Sequence, residues 1–519
     1  ADLVITNGKV HTVSGENPEA QAVAVKGKHI LAVGSNEEVG RFVGPETKVL
    51  DVEGKLVIPG LIDAHCHFAG GGRRLTMLSL RGANSIEEIQ ALIAERIKEL
   101  PEGAAVWAVG RLRSPELYPD TIWATKEILD PVSPNNPVVL RRGGGHALLL
   151  NSVALKQSGI TKDSVAPQGG EVKKDPKTGE PTGILREAGR QLSKIEMQTT
   201  PREDILRALK HTENLALTGI QIAGINPEII ETYKELNQEG KLTIRVYAAL
   251  NGRSIDVDEY IEKGLKQGQG DDMVKIGYYK FLIDGTLGVR SALMFEDFIE
   301  EPGNRGLAQF KEEEFYNLVE RAHKNGYQVG IHAIGDKAVH WTLNAVERAQ
   351  EKHGKKGLRH RIEHNTVLLR EDIPRFTELG VIGSMQPNIT GTQQTRVTRL
   401  GEERAHRVDM WRDLIDNGAM LCWGTDWAVS PLNPMLNLNK IATRYPEQRL
   451  TMAEAIKYYT YGSAYASFEE DIKGTLEAGK LADIVVLSKD LFTIDPEEIL
   501  TTEVLYKILG GKIIYQKGI

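Results

Sequence analysis

Between residues 55 and 470 one unit recurs: a short apolar run, a loop, then a stretch whose apolar residues return at helical spacing. Apolar runs at 57–65, 219–225, 244–250, 276–283, 329–334, 360–364, 381–386 and 420–425 predict eight strands. Segments such as Glu312 to Asn325 and Lys337 to Lys352 predict amphipathic helices between them. Strands alternating with helices in this number predict an α/β chain built on a closed parallel (β/α)8 barrel of the TIM type, over 56–67 and 201–470.

The two ends read differently. Leu3 to Ile5, Ala22 to Val25 and Ile30 to Val33 are short strands with turn signals between them. From Gly474 onward, Ala482 to Leu487 and the Gly510-Gly511 hairpin repeat that style. Neither end holds enough strands to bury a core, so 1–55 and 471–519 are expected to form one composite β-sandwich. Residues 68–200 are too long for a βα loop and carry their own helix pattern, Ser85 to Leu100, and strand, Pro137 to Arg142. They predict an inserted α/β subdomain over the barrel mouth.

Composition narrows the partners. A chain of 519 residues exceeds one hydrophobic core, and 41% hydrophobic with 26% charged residues favours a globular over a disordered or fibrous protein. The net charge of −7, with no basic stripe, argues against a nucleic-acid partner. No apolar run approaches the roughly 18 residues of a membrane span, and Ala1 to Thr6 lacks a signal-peptide layout, so a cytoplasmic protein without a membrane partner is expected. Two cysteines make no disulfide framework, and Cys66 reads as a packed thiol. The expected partner is a small-molecule substrate, with a homo-oligomer left open.

Candidate chemistry begins at Gly60-Leu61-Ile62-Asp63-Ala64-His65-Cys66-His67. Residues i and i+2 share one face of a strand, so both imidazoles can reach one metal ion. Lys280, His332, His364 and Asp426 each close a later apolar run. Catalytic groups of such barrels sit at the C-terminal strand ends, which is where all six fall. Any one of these histidines alone reads as an ordinary satisfied polar residue; their joint placement in one ring points to a metal site. His11, His29, His211, His323, His340, His353, His360 and His406 lack that placement and read as surface or structural.

The pattern of HxH on strand one, Lys on four, His on five and six and Asp on eight resembles the amidohydrolase superfamily. Lys280 to Gly288, His332 to Asp336 and Arg359 to His364 look like its long branch that includes N-substituted formamide deformylase. The resemblance implies a divalent metal site with two zinc ions per chain, manganese, iron or nickel being alternatives. It also implies a carbamate, formed from carbon dioxide on Lys280, bridging the ions. The other reading of Lys280 is a buried lysine paired with Asp284 or a substrate acid. A metal-bound hydroxide would attack an amide, N-formyl, N-acyl or cyclic amide carbonyl, with Asp426 as general base and then acid. A mononuclear deaminase and a noncatalytic regulatory protein on the same fold are the alternatives.

Weaker candidates surround this set. His146, after Gly143-Gly144-Gly145, either reaches over the mouth to bind substrate or belongs to a simple turn. Asp284 and Arg290 either contact substrate or cap the loop after strand four. Trp427 is expected to line an apolar pocket, and Trp423 to be core. Thr392 to Arg396 reads as a polar lid or an ordinary exposed loop. Gly70 to Gly72 and Gly143 to Gly145 lack the lysine and hydroxyl register of a phosphate loop.

Overall fold

The structure, a computed structural model, describes residues 1–112, 114, 117–118, 123–142, 145–252 and 256–518. Gly143 and Gly144 of the glycine run lie outside the described residues. The centre is an eight-stranded, all-parallel sheet in chain order: β1 (Leu61–Cys66), β2 (Leu217–Ile225), β3 (Arg245–Asn251), β4 (Val274–Leu282), β5 (Val329–Ala333), β6 (Arg361–His364), β7 (Ile382–Met385) and β8 (Leu421–Trp423). Each predicted run overlaps one of these strands. Helices such as Glu312–Lys324 and Asp336–His353 bury one face against the sheet. The strands are therefore covered on both sides, and they read as continuous apolar runs rather than alternating ones.

The run at 57–65 is the exception, because it divides between two sheets. Leu56–Pro59 pairs antiparallel with Ile484–Leu487 and parallel with Lys9–His11, outside the barrel. The break falls at Gly60, whose amide donates to the Asp483 carbonyl at 2.9 Å and where any Cβ would collide with Thr218. Apolarity continues through the break, so the pattern alone could not show it.

Leu56–Pro59 belongs to a six-stranded sheet that mixes strands from both chain ends. A four-stranded N-terminal sheet packs against it around Leu3, Ile5, Val23, Val57, Ile484 and Ile508. The segment from 68 to 200 forms another six-stranded sheet with its own core, in which Ile89 and Ile93 of helix Ile86–Lys98 meet Leu140, Leu149 and Ile184. Ser85 caps that helix by accepting the Glu88 amide. Among the described residues, no helix is long and apolar enough to cross a membrane.

The barrel closes between β8 and β1 without a ladder, through a backbone hydrogen bond and the Asp63 side chain. The Asp426 amide donates to the His65 carbonyl at 2.7 Å. The buried Asp63 carboxylate accepts the His65 amide at 3.0 Å, the Thr425 amide at 3.1 Å and the Thr425 hydroxyl at 2.5 Å. Gly424 lies flat on His65, where a Cβ would come within 2.6 Å of the His65 backbone nitrogen. Gly424→Ala should therefore lower stability by about 1–3 kcal/mol, the usual cost of overpacking, and weaken metal retention. Gly40→Ala, which meets nothing within 4 Å, should stay within about 0.5 kcal/mol. Denaturation midpoints and metal content check both; equal behaviour of the two variants would contradict this account of the closure.

Candidate metal centre

His65 is the penultimate residue of β1, and His67 lies just past its end. Asp426 follows β8 by three residues. Its Oδ1 stands 3.3 Å from His67 Nε2 and 3.6 Å from His65 Nε2. The ligand atoms of these three side chains all fall within 4.8 Å of one another. The His364 ring, at the end of β6, is 4.8 Å from the His65 ring, and the His332 ring is 4.4 Å from His364. All six predicted residues, Lys280 included, line one cavity of about 290 Å³. His364 and Asp426 reach it from left-handed backbone, φ 78° and 54°. That conformation costs non-glycine residues on the order of 1–3 kcal/mol and is tolerated where it aims a functional group.

Protonation suits coordination. His65 Nδ1 donates to Glu363 Oε2 at 2.5 Å, which leaves the Nε2 lone pair toward Asp426. His332 Nε2 donates to the Gly285 carbonyl at 2.9 Å, which leaves Nδ1 as its lone-pair nitrogen. Burial lowers the pKa of His65, His332 and His364, so all three imidazoles are neutral at pH 7. Burial also pushes Asp426 upward, but His67, 3.3 Å from its Oδ1, and the surrounding imidazoles outweigh it and keep the group a carboxylate. His65 Nε2, His364 Nδ1 and Asp426 Oδ1 are buried without a hydrogen-bond partner. Such atoms cost about 1–3 kcal/mol each unless compensated. Imidazole nitrogens with a carboxylate oxygen are the donor set of a borderline divalent ion, so these residues fit a metal.

The sequence profile of the Amidohydrolase family matches residues 48–515. The chain belongs to the amidohydrolase family. It is 31% identical to the Arabidopsis thaliana protein LONG AFTER FAR-RED 3, over 99% of this chain and 92% of that one. It is 28% identical to the N-substituted formamide deformylase of Arthrobacter pascens, over 99% and 98%. The crystal structure of a metal-dependent hydrolase from Pyrococcus horikoshii superposes with a TM-score of 0.76 at 26% identity, covering 95% of this chain and 99% of that one.

Within this member of the amidohydrolase family the weaker candidates divide. His146 does reach the site: its ring is 5.3 Å from His332, and its Nδ1 is held by Glu187 Oε2 at 2.8 Å. Asp284 lines neither cavity of the site. It is fully buried and accepts the amides of Leu293 at 2.8 Å, Gly335 at 2.9 Å and Ile334 at 3.1 Å, so it clamps the loops after β4 and β5. Arg290 is buried in the same loop, pairs with Glu300 and donates to the Gly288 carbonyl at 3.0 Å. Trp427 turns away from the cavity, stacking on His211 at 5.3 Å and packing over Gly71 and Phe68. Trp423 is core, with its indole nitrogen on the Ala455 carbonyl. Thr392 caps helix Gln393–Leu400; of this stretch Arg399, with Thr390 and Gly391 before it, lines an outer cavity of about 440 Å³.

The motif reading passed over Asp63 and Glu363, which support the ligands, and Arg141 and Arg190, which line the cavity. Glu363 had a signal, since an ionic pair at i and i+2 on one face of a barrel strand, Arg361 and Glu363, is rarely there unless it supports a site. Glu363→Gln should weaken metal binding by about 10- to 100-fold, the usual effect of removing a ligand's supporting carboxylate. Chelator competition, with circular dichroism verifying the fold, measures it; unchanged affinity would contradict a supporting role.

Proposed function

We propose that the protein hydrolyses a C–N bond of a small molecule, an amide of the N-formyl, N-acyl or cyclic class. In this reading His65, His67, His332, His364 and Asp426 would hold divalent metal, zinc being the expected ion, and Lys280 would carry a carbamate whose negative charge helps to hold it. The observation that carries the reading is the set of buried, partnerless ligand atoms on one cavity wall, His65 Nε2, His364 Nδ1 and Asp426 Oδ1. Similarity to a relative named for deformylating N-substituted formamides supports the choice of bond. When bound, a divalent ion supplies Lewis-acid polarisation of a carbonyl and acidifies water.

The chain's own residues would do the rest. Asp426, ionised and at the junction of β8 and β1, would take a proton from the attacking water and return it to the leaving nitrogen. His146, fixed at Nδ1 by Glu187, would present Nε2 to the substrate. The insert would narrow access, since Arg81, Arg142 and His146 all stand on the wall of the outer cavity.

Turnover of a panel of N-formyl, N-acyl, cyclic amide and ester substrates tests the reaction. Asp426→Asn should cost on the order of 10²- to 10⁴-fold on whichever amide is cleaved; ester cleavage with no amide cleavage would contradict the proposal. For Lys280, Lys280→Ala should lose one metal equivalent and most activity, with acetate restoring part of both. Lys280→Arg should not substitute, because guanidinium remains cationic. Two full metal equivalents in Lys280→Ala would end the carbamate reading, and one equivalent in the unaltered protein would favour the mononuclear deaminase.

A further inference from the structure

Two arginines of the 68–200 segment stand on the wall of the same 290 Å³ cavity as the candidate ligands: Arg141 at the end of strand Val138–Arg142 and Arg190 in the turn Ala188–Leu192. Arg190 is anchored, donating from Nε to the Glu187 carbonyl at 2.9 Å and from its terminal nitrogen to the Gly145 carbonyl. The Arg141 guanidinium makes no hydrogen bond or ion pair with a side chain or backbone group among the described residues, and its Nε is buried without one. Gly145 makes room for it, because a Cβ there would lie 2.8 Å from the Arg141 guanidinium. One glycine thus holds Arg190 through its carbonyl and accommodates Arg141 through its lack of a side chain.

The charge around them is not balanced. Asp426 is the one acidic side chain among the described residues lining this cavity, and it already faces His65 and His67. The nearby Glu187 carboxylate holds His146 at 2.8 Å and Ser291 at 2.6 Å. Burial, then the neighbouring Arg190 and Arg73 guanidiniums, lower the pKa of Arg141 to about 10, so it stays cationic at neutral pH. A half-buried guanidinium without a partner is destabilising unless a ligand supplies the anion, and its planar fork matches a carboxylate.

We infer that Arg141 and Arg190 form a subsite for a carboxylate carried by the substrate, which makes the substrate class N-acyl or N-formyl compounds bearing an acid group close to the scissile bond. This deepens the proposed hydrolysis and rests on it for the position of the amide. The carboxylate would sit between the two guanidiniums under Gly145, on the roof side of the cavity, with the amide carbonyl directed to the histidines and Asp426. Arg141 acts as a specificity residue and takes no part in proton transfer.

A binding assay that needs no turnover tests it. On the metal-loaded protein, N-acetylglycine should bind about tenfold or more tightly than N-acetylglycinamide, the margin expected of charge-assisted hydrogen bonds. Arg141→Gln should bring the two affinities within about twofold while metal content and N-acetylglycinamide affinity hold, and Arg141→Lys should recover part of the preference. An unaltered preference in Arg141→Gln would overturn the subsite, as would equal loss of both ligands, which would mark Arg141 as structural. Inorganic phosphate binding more tightly than N-acetylglycine, and depending on Arg141, would overturn the carboxylate in favour of a phosphate site. If the acid preference and its loss in Arg141→Gln are found but no amide is cleaved, the subsite stands and the hydrolytic reading fails.

Discussion

The guanidinium of Arg361, fully buried beneath the site, is the constraint on which the rest depends. A buried cation is tolerable only when a counter-ion and hydrogen-bond acceptors surround it. Arg361 meets Glu363 Oε1 at 2.5 Å, Gln221 Oε1 at 2.5 Å, the Ala64 carbonyl at 2.7 Å and Ser384 Oγ at 2.9 Å. Those partners lie on β6, β2, β1 and β7, so one side chain ties four strands across the barrel interior. Glu363 then passes the constraint to His65 Nδ1 at 2.5 Å, which fixes the ring, its tautomer and the direction of its Nε2. Burial would raise Glu363, but Arg361 and His65 outweigh it and hold the group ionised.

Above that base, the mouth is assembled where the chain closes on itself. β8 and β1 meet through Asp63, Thr425 and the bare Cα of Gly424, and this seam delivers Asp426 beside His65 and His67. The 68–200 segment supplies His146, Arg141 and Arg190 to the same cavity. Side chains that would titrate or coordinate come mainly from the barrel, whereas the charged side chains of the roof would contribute selectivity, a division that suits a scaffold whose loops vary while its barrel does not.

The barrel was legible in the sequence because a parallel strand buried on both faces leaves a run that composition alone reveals, and because the candidate ligands close those runs. Direction after the strand end was not legible. Asp284 and Trp427 lie within four residues of predicted ligands, yet one is drawn inward by three backbone amides and the other packs on His211 and Phe68. Both outcomes depend on residues distant in the chain. Leu56–Pro59 was misassigned for a related reason: its apolar pattern is the same in either sheet, and the deciding fact is the contact of Gly60 with Thr218. Arg141 and Arg190, some fifty residues apart and beyond any metal-ligand pattern, come together at Gly145.

The central claim is that His65, His67 and Asp426 face one metal-binding point at the barrel mouth. Crystals of the metal-loaded protein, measured at the absorption edge of the bound ion, test it directly. The account predicts an anomalous peak about 2 Å from His65 Nε2, His67 Nε2 and an Asp426 carboxylate oxygen, the length of a zinc–ligand bond. A stoichiometrically loaded crystal whose anomalous peaks all lie elsewhere would contradict it.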